Sequence, residues 1–220
     1  MILRSAAVAG GVLIGIIAVG LAQLIPIRMG KTERPRSTTW WLGAAAVAIG
    51  FGWVAATDGW AFLPAYLAFG ATTLAVTLTD IDHQLIPNRI LFPGLGVAGV
   101  LLALGALVDG SARDLGRAVI GALIYFAFLL LVGLVARGGF GMGDVKLALL
   151  LGLFLGFVGW DALGVGFCVG ILLGGVASLL LLVFTKRGRR AKFAYGPYMV
   201  MGAWIGLFWG PQIANWYLGG

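Results

Sequence analysis

One cysteine, Cys168, and one histidine, His83, are present among 220 residues. A single cysteine rules out a disulfide within the chain, and a zinc site built from several cysteines goes with it. A lone histidine needs carboxylates beside it to hold a metal, so no metal site is expected. No motif implies a cofactor. Cys168 lies inside an apolar run and is expected to be a small packing residue. Charge is also scarce, with only 10% of residues being Asp, Glu, Lys or Arg. Neither a 20–50-residue repeat nor a low-complexity tail is visible, which predicts one domain over residues 1–220.

Apolar surface takes the place of charge. Hydrophobic residues make up 61% of the chain, and the mean hydropathy is +1.04. A soluble domain of this length has too little interior to hide so much apolar surface. A bilayer does not require it to be hidden, and needs roughly 20 apolar residues per helical span. The 37 glycines suit membrane helices, where small residues let backbones approach. Eight apolar segments can be drawn, at about 5–27, 40–56, 61–79, 90–108, 118–136, 147–160, 163–184 and 198–217. The expected fold is an all-α membrane protein, a polytopic bundle of about eight transmembrane helices. The sixth segment is short, and the Trp160-Asp161 turn after it is tight. Trp40, Trp41, Trp60, Trp160 and Trp216 fall near segment ends, as an interfacial aromatic belt requires.

Basic residues set the orientation. Twelve of the fifteen Lys and Arg residues fall in odd-numbered connections, including Arg28–Arg36, Arg89, Arg137, Lys146 and Lys186–Lys192. Only Arg4, Arg113 and Arg117 fall elsewhere. The positive-inside rule therefore predicts cytoplasmic odd connections and extracytoplasmic termini. Arg4 precedes a long apolar stretch with no convincing small-x-small cleavage site before the next span, so this stretch is expected to be a retained first helix. Net charge +7 is explained by loops beside anionic lipid headgroups, and no nucleic-acid partner is expected.

Two acidic stretches break the apolar pattern. Gly141-Met142-Gly143-Asp144-Val145-Lys146 lies between two membrane-grade segments. Thr79-Asp80-Ile81-Asp82-His83-Gln84-Leu85-Ile86-Pro87-Asn88-Arg89 follows the third segment and is expected as a loop on the same face. Two carboxylates sharing one water cannot both ionise cheaply, so one keeps its proton and the pair is acid and base at once. Such a pair serves peptide hydrolysis without metal or covalent intermediate. It serves ion or proton handling equally well, and spacing alone leaves both open. Gly141 and Gly143 are expected to allow close backbone approach or positive φ. Pro87 pushes Ile86 towards an extended conformation, which ends any helix carried past Asp82. Asp82 assists, caps or binds water on this reading, and Lys146 pairs with a carboxylate or snorkels to the interface. Asp58, Asp109, Asp114 and Asp161 read as caps or solvated residues on the outer side.

Asp80-x6-Pro87-Asn88 resembles the first aspartate motif of the type IV prepilin leader peptidases. Gly141-Met142-Gly143-Asp144-x-Lys146 resembles their second, the motif that names the GxGD membrane aspartic proteases. Ala194-Tyr195-Gly196-Pro197-Tyr198 resembles the segment opening the family's last helix, and the similarity runs from about residue 62 to 207. The resemblance implies Asp80 and Asp144 as catalytic dyad, with Gly141, Gly143, Lys146, Asp82 and Pro87 in support. It implies cleavage of a short basic leader from a prepilin or pseudopilin at the cytoplasmic face of a bacterial cytoplasmic membrane. The family's bifunctional members carry a domain with two CxxC pairs between their first two helices and also N-methylate the product. Here the Arg28–Thr39 connection has no cysteine. A peptidase-only form is therefore expected. The alternative is a small ion- or proton-coupled transporter using the same carboxylates. The missing internal repeat and the position of both acidic sites at helix ends speak against it.

Overall fold

The computed structural model describes residues 61–135, 141–184 and 194–219. Six helices run through them: α1 Leu63–His83, α2 Asn88–Asp109, α3 Asp114–Val135, α4 Met142–Val158, α5 Trp160–Phe184 and α6 Gly196–Leu218. Each of the six segments expected from residue 61 onward falls on one of them. The segments at 5–27 and 40–56, the terminal orientations, Arg137 and Lys186–Lys192 lie outside the described residues. The chain divides into two compact units, Met1–Ala112 and Arg113–Gly220.

In the first unit α1 and α2 pack antiparallel. A proline in the first turn of α1 is tolerated because that backbone nitrogen has no helical acceptor. The buried face of α1 carries Phe69, Leu74, Val76 and Leu78 together with Thr72, Thr73 and Thr79. The threonines spend their hydroxyls on the helix itself: Oγ1 of Thr72 donates to Ala68 O at 2.7 Å, and that of Thr79 to Ala75 O at 3.0 Å. The helix thus carries hydroxyls into an apolar contact at little desolvation cost. On α2, a Cβ at Gly94 would overlap the Thr72 side chain, and one at Gly105 would stand 2.7 Å from Ala61 O.

In the second unit α4 packs against α3, α5 and α6. Its Leu147, Leu150, Leu151, Phe154 and Leu155 are fully buried and point in several directions. A helix apolar all round is a central helix, which accounts for a segment shorter than the others. Between helices in lipid there is little hydrophobic drive, so close packing of small residues takes its place. Gly152 and Gly156 of α4 meet Gly121 and Ala118 of α3 nearly backbone to backbone; a Cβ at Gly121 would stand 2.8 Å from Gly152 O. Ala162, Gly166 and Gly170 of α5 meet Gly210, Gly206 and Gly202 of α6 in antiparallel order. The small residues recur every three or four positions along each helix, which keeps them on one face.

The C-terminus of α4 is capped by a side chain from α3. Arg117 donates from Nε to Gly156 O at 2.7 Å and from Nη2 to the carbonyls of Phe157 and Val158. Asp114, one turn earlier, holds Nη1 at 3.2 Å. A guanidinium here satisfies carbonyls that the helix end leaves orphaned and complements its dipole. Only Gly159 separates α4 from α5, so the tight turn lies there, and Trp160 and Asp161 open the next helix.

Apolar side chains stand exposed along α2, α3 and α5, among them Leu107, Leu131 and Leu172. Contiguous apolar surface of this kind belongs against lipid. Among the described residues three helices are long and apolar enough to cross a membrane: Asn88–Asp109, Arg113–Val135 and Trp160–Leu180. The chain is an integral membrane protein on that ground. Cys168, expected to be a small packing residue, is exposed on α5. The α5 row facing α6 contains Gly166 and Gly170, and a residue two positions from each points to the opposite side.

Candidate active site

Asp80 and Asp144 are the only buried charged side chains among the described residues, 5% and 8% exposed. Burying a carboxylate costs several kcal/mol unless its surroundings compensate. A carboxylate buried in an otherwise apolar interior makes each of the two a candidate site residue.

Asp80 lies in the last turn of α1, not in a loop. The expected connection from Thr79 onward is corrected here, because the helix continues to His83 before it stops. The stop is a left-handed C-cap: Gln84 has φ 50° and ψ 44°, and its N–H donates to Asp80 O at 2.8 Å. A non-glycine residue in that region is uncommon and marks a constrained position. Pro87 follows at φ −73° and ψ 125°, buried, and its carbonyl accepts from Ile90 and Leu91 N–H at 3.0 Å to start α2. The proline thus acts at the start of α2, while α1 has already ended at Gln84. One turn before Asp80, Thr77 keeps a buried hydroxyl with no hydrogen-bond partner. Asp82 and Asn88 are exposed, and His83 is half-buried. Partial cover raises the Asp82 carboxyl above its ordinary range, and neighbouring His83 opposes this.

Asp144 lies in the first turn of α4, where the helix dipole favours a negative charge. Gly141 is the N-cap, with φ −72° and ψ 128°, and Asp144 N–H donates to its carbonyl at 3.1 Å. The positive φ expected of Gly141 or Gly143 is not found. Among the described glycines only Gly110 and Gly219 adopt it. The requirement at Gly141 is space: a Cβ there would stand 2.9 Å from Oδ2 of Asp144. Gly143 and Lys146 sit half-buried in the same opening turns of α4.

Two tyrosines that the sequence reading had not assigned to the site belong to the same unit as Asp144. Tyr125 of α3 is 2% exposed and packs edge-to-face on Phe167, with ring centroids 5.0 Å apart. Tyr195, the N-cap of α6, is half-buried; burial first, and then the nearby Asp144 charge, raise its phenol above the ordinary 10.0. Tyr195 stood in a motif noted for its resemblance alone, and Tyr125 stood in an unbroken apolar run. Only a phenol amid aliphatic residues at membrane depth would have singled out Tyr125.

Among the described residues no group of three or more His, Cys, Asp or Glu side chains is placed to hold a metal ion. A carboxylate buried at a helix end can take a proton from water or return one.

The Type IV leader peptidase family is matched by residues 67–185, a stretch that contains both aspartates. Curated relatives include prepilin leader peptidase/N-methyltransferases of Aeromonas salmonicida, 34% identical over 170 residues, and Stutzerimonas stutzeri, 32% identical over 150. The first alignment covers 74% of this chain and 54% of the relative; the second covers 66% and 49%. The counterpart in Bacillus subtilis is 27% identical, over 69% of this chain and 58% of that protein. The chain thus spans about half the length of the curated relatives it matches. No solved structure matches it. By the extent of the family match and the identity to these peptidases, the chain belongs to the type IV leader peptidase family.

Proposed function

We propose that this chain is an aspartic endopeptidase that removes the short basic leader of a prepilin or pseudopilin, with Asp80 and Asp144 as its acid–base dyad. The observation that carries this reading is that the two buried carboxylates both lie within the residues matched to the family, in the two stretches whose sequence resembles its aspartate motifs. One carboxylate accepts a proton from water as its oxygen adds to the scissile carbonyl. The other, protonated, hydrogen-bonds that carbonyl, and a proton then passes to the leaving amine as the C–N bond breaks. No covalent intermediate and no metal is required.

The proposed setting is the cytoplasmic face of a bacterial cytoplasmic membrane, in an eight-span chain whose 220 residues work as one peptidase domain. Two span-capable helices, α2 and α3, separate Asp80 from Asp144 along the chain. A chain that crosses twice returns to the face it left, and the excess of Lys and Arg in the odd connections marks that face as cytoplasmic. A basic leader stays in the cytoplasm while the following hydrophobic helix of the substrate enters the bilayer, so the scissile bond lies where lipid and water meet. Gly141, Gly143, Lys146, Asp82 and Pro87 support the dyad, and the product is released without N-methylation. No observation favours the transporter reading.

Co-expression with a prepilin, followed by the mass of the processed N-terminus, tests this. Loss of the leader mass in wild type, its retention in Asp80→Asn and in Asp144→Asn, and no added methyl mass are expected. Full processing by either single variant rejects the dyad.

A further inference from the structure

Helix α1 carries threonines at 72, 73, 77 and 79, and one of them differs from the rest. A threonine hydroxyl in a helix has a ready acceptor in the carbonyl three or four residues back. Thr72 donates to Ala68 O at 2.7 Å, Thr73 to Gly70 O at 3.1 Å, and Thr79 to Ala75 O and Val76 O at 3.0 and 2.9 Å. The Thr77 hydroxyl is buried and makes neither that bond nor any other within the protein. A buried donor left unmade costs free energy, so a hydroxyl kept in that state calls for a role in function or in holding water. Thr77 stands three residues before the buried Asp80. Residues so spaced are neighbours on one helix face, with Cβ atoms roughly 5–6 Å apart. Cα–Cβ bonds tilt towards the helix N-terminus, so the Asp80 side chain sets out towards the turn that holds Thr77. A hydroxyl and a carboxylate at that spacing are within reach of one shared water.

We propose that Thr77 is the second group that holds the reacting water at Asp80: its hydroxyl donates to the water, and the water donates to the carboxylate. One lone pair on the water oxygen is then left for the scissile carbonyl. As the C–O bond forms, the proton between water and Asp80 passes to Asp80, and Thr77 keeps its own. Asp80 is thereby the proton-accepting member of the pair. The proposal rests on Asp80 acting in the peptidase proposed above. Fixing the water in a near-attack position lowers the barrier without tightening substrate binding, so the loss of this hydroxyl should appear in turnover.

The test uses the full chain in lipid nanodiscs with a prepilin as substrate. Thr77→Val keeps the shape of the side chain and removes the hydroxyl. Its kcat should fall about tenfold, the worth of one hydrogen bond at the reacting water. KM should stay within about twofold. The unfolding midpoint should hold or rise, because the group removed is a buried donor without a protein partner. Thr77→Ser, which restores the hydroxyl, should recover at least about half of the wild-type kcat. Thr73→Val, one turn further from Asp80 and spent on Gly70 O, should turn over as wild type. Wild-type kcat in Thr77→Val, or a Thr77→Ser as slow as Thr77→Val, overturns the role of Thr77 alone when Asp80→Asn is inactive. A fall in kcat matched by a lower unfolding midpoint assigns Thr77 to packing and overturns it too. Full activity in Asp80→Asn overturns the peptidase reading beneath it.

Discussion

Gly141 and Asp144 are three residues apart, and the first exists to leave room for the second: a Cβ on Gly141 would stand 2.9 Å from Oδ2 of Asp144. The backbone of Gly141 is extended, in a conformation open to any residue, so a larger side chain there meets no strain in φ but displaces the end of the Asp144 side chain. Gly141→Ala should turn the carboxylate away and lower kcat about tenfold to a hundredfold, the usual consequence of misplacing a catalytic group by an ångström. The unfolding midpoint should hold. Wild-type turnover would show that Asp144 works from another rotamer.

The burial contrast between neighbouring carboxylates ranks their substitutions. Asp80→Asn and Asp144→Asn should each lower prepilin cleavage by about a thousandfold, within the range of a lost general acid or base. Asp82, exposed two residues beyond Asp80, should tolerate Asn with near-normal rates. Single-turnover cleavage rates distinguish the three, and an inactive Asp82→Asn would move the first catalytic position.

Arg117 carries more of the fold than its partner Asp114. Arg117→Ala strips three carbonyls at the end of α4 of their donor and should cost about 1–3 kcal/mol. Asp114→Ala removes one partly exposed ion pair and should cost less than about 1 kcal/mol. Thermal unfolding in detergent reads both, and equal shifts would place the stabilisation in the ion pair.

Glycines along α5 and α6 should divide by what faces them. A Cβ on Gly206 would stand 2.6 Å from Ala162 O and Gly166 Cα, so Gly206→Ala should cost about 1–3 kcal/mol through overpacking. Gly164 and Gly175 face open space, and alanine there should be neutral or stabilise by up to about 1 kcal/mol. Melting curves of the three variants check the order.

Tyr195 should titrate late. Burial and then the Asp144 charge raise its phenol above 10.0, so the folded chain favours the neutral O–H. The stability this contributes is complete below pH 10.0 and is lost as pH rises from there through the folded value. Phenolate absorbance, compared between wild type and Tyr195→Phe, should place this ionisation above pH 10.0. In Asp144→Asn it should move down while staying above 10.0, since burial, the larger cause, persists. No movement would separate the two groups.

The sequence by itself determined the helices, the lipid-facing character and the two aspartate motifs. Those properties are local: hydropathy over some twenty residues decides entry into a bilayer, and Asp80-x6-Pro87 and Gly141-x-Gly143-Asp144 are readable at fixed spacing. It stopped short at the motif boundaries. Apolar content ended the third segment at Thr79 and began the sixth at Leu147, whereas backbone hydrogen bonding carries α1 to His83 and starts α4 at Met142. Both aspartates therefore ride on rigid helix ends. Only the tertiary structure decided that Gly174 makes room for Tyr195 while Gly175 faces nothing, that Arg117 reaches across to Gly156, and that Tyr125 packs on Phe167. Each depends on which helix lies opposite, and in a chain apolar on every face no pattern along one helix names its partner.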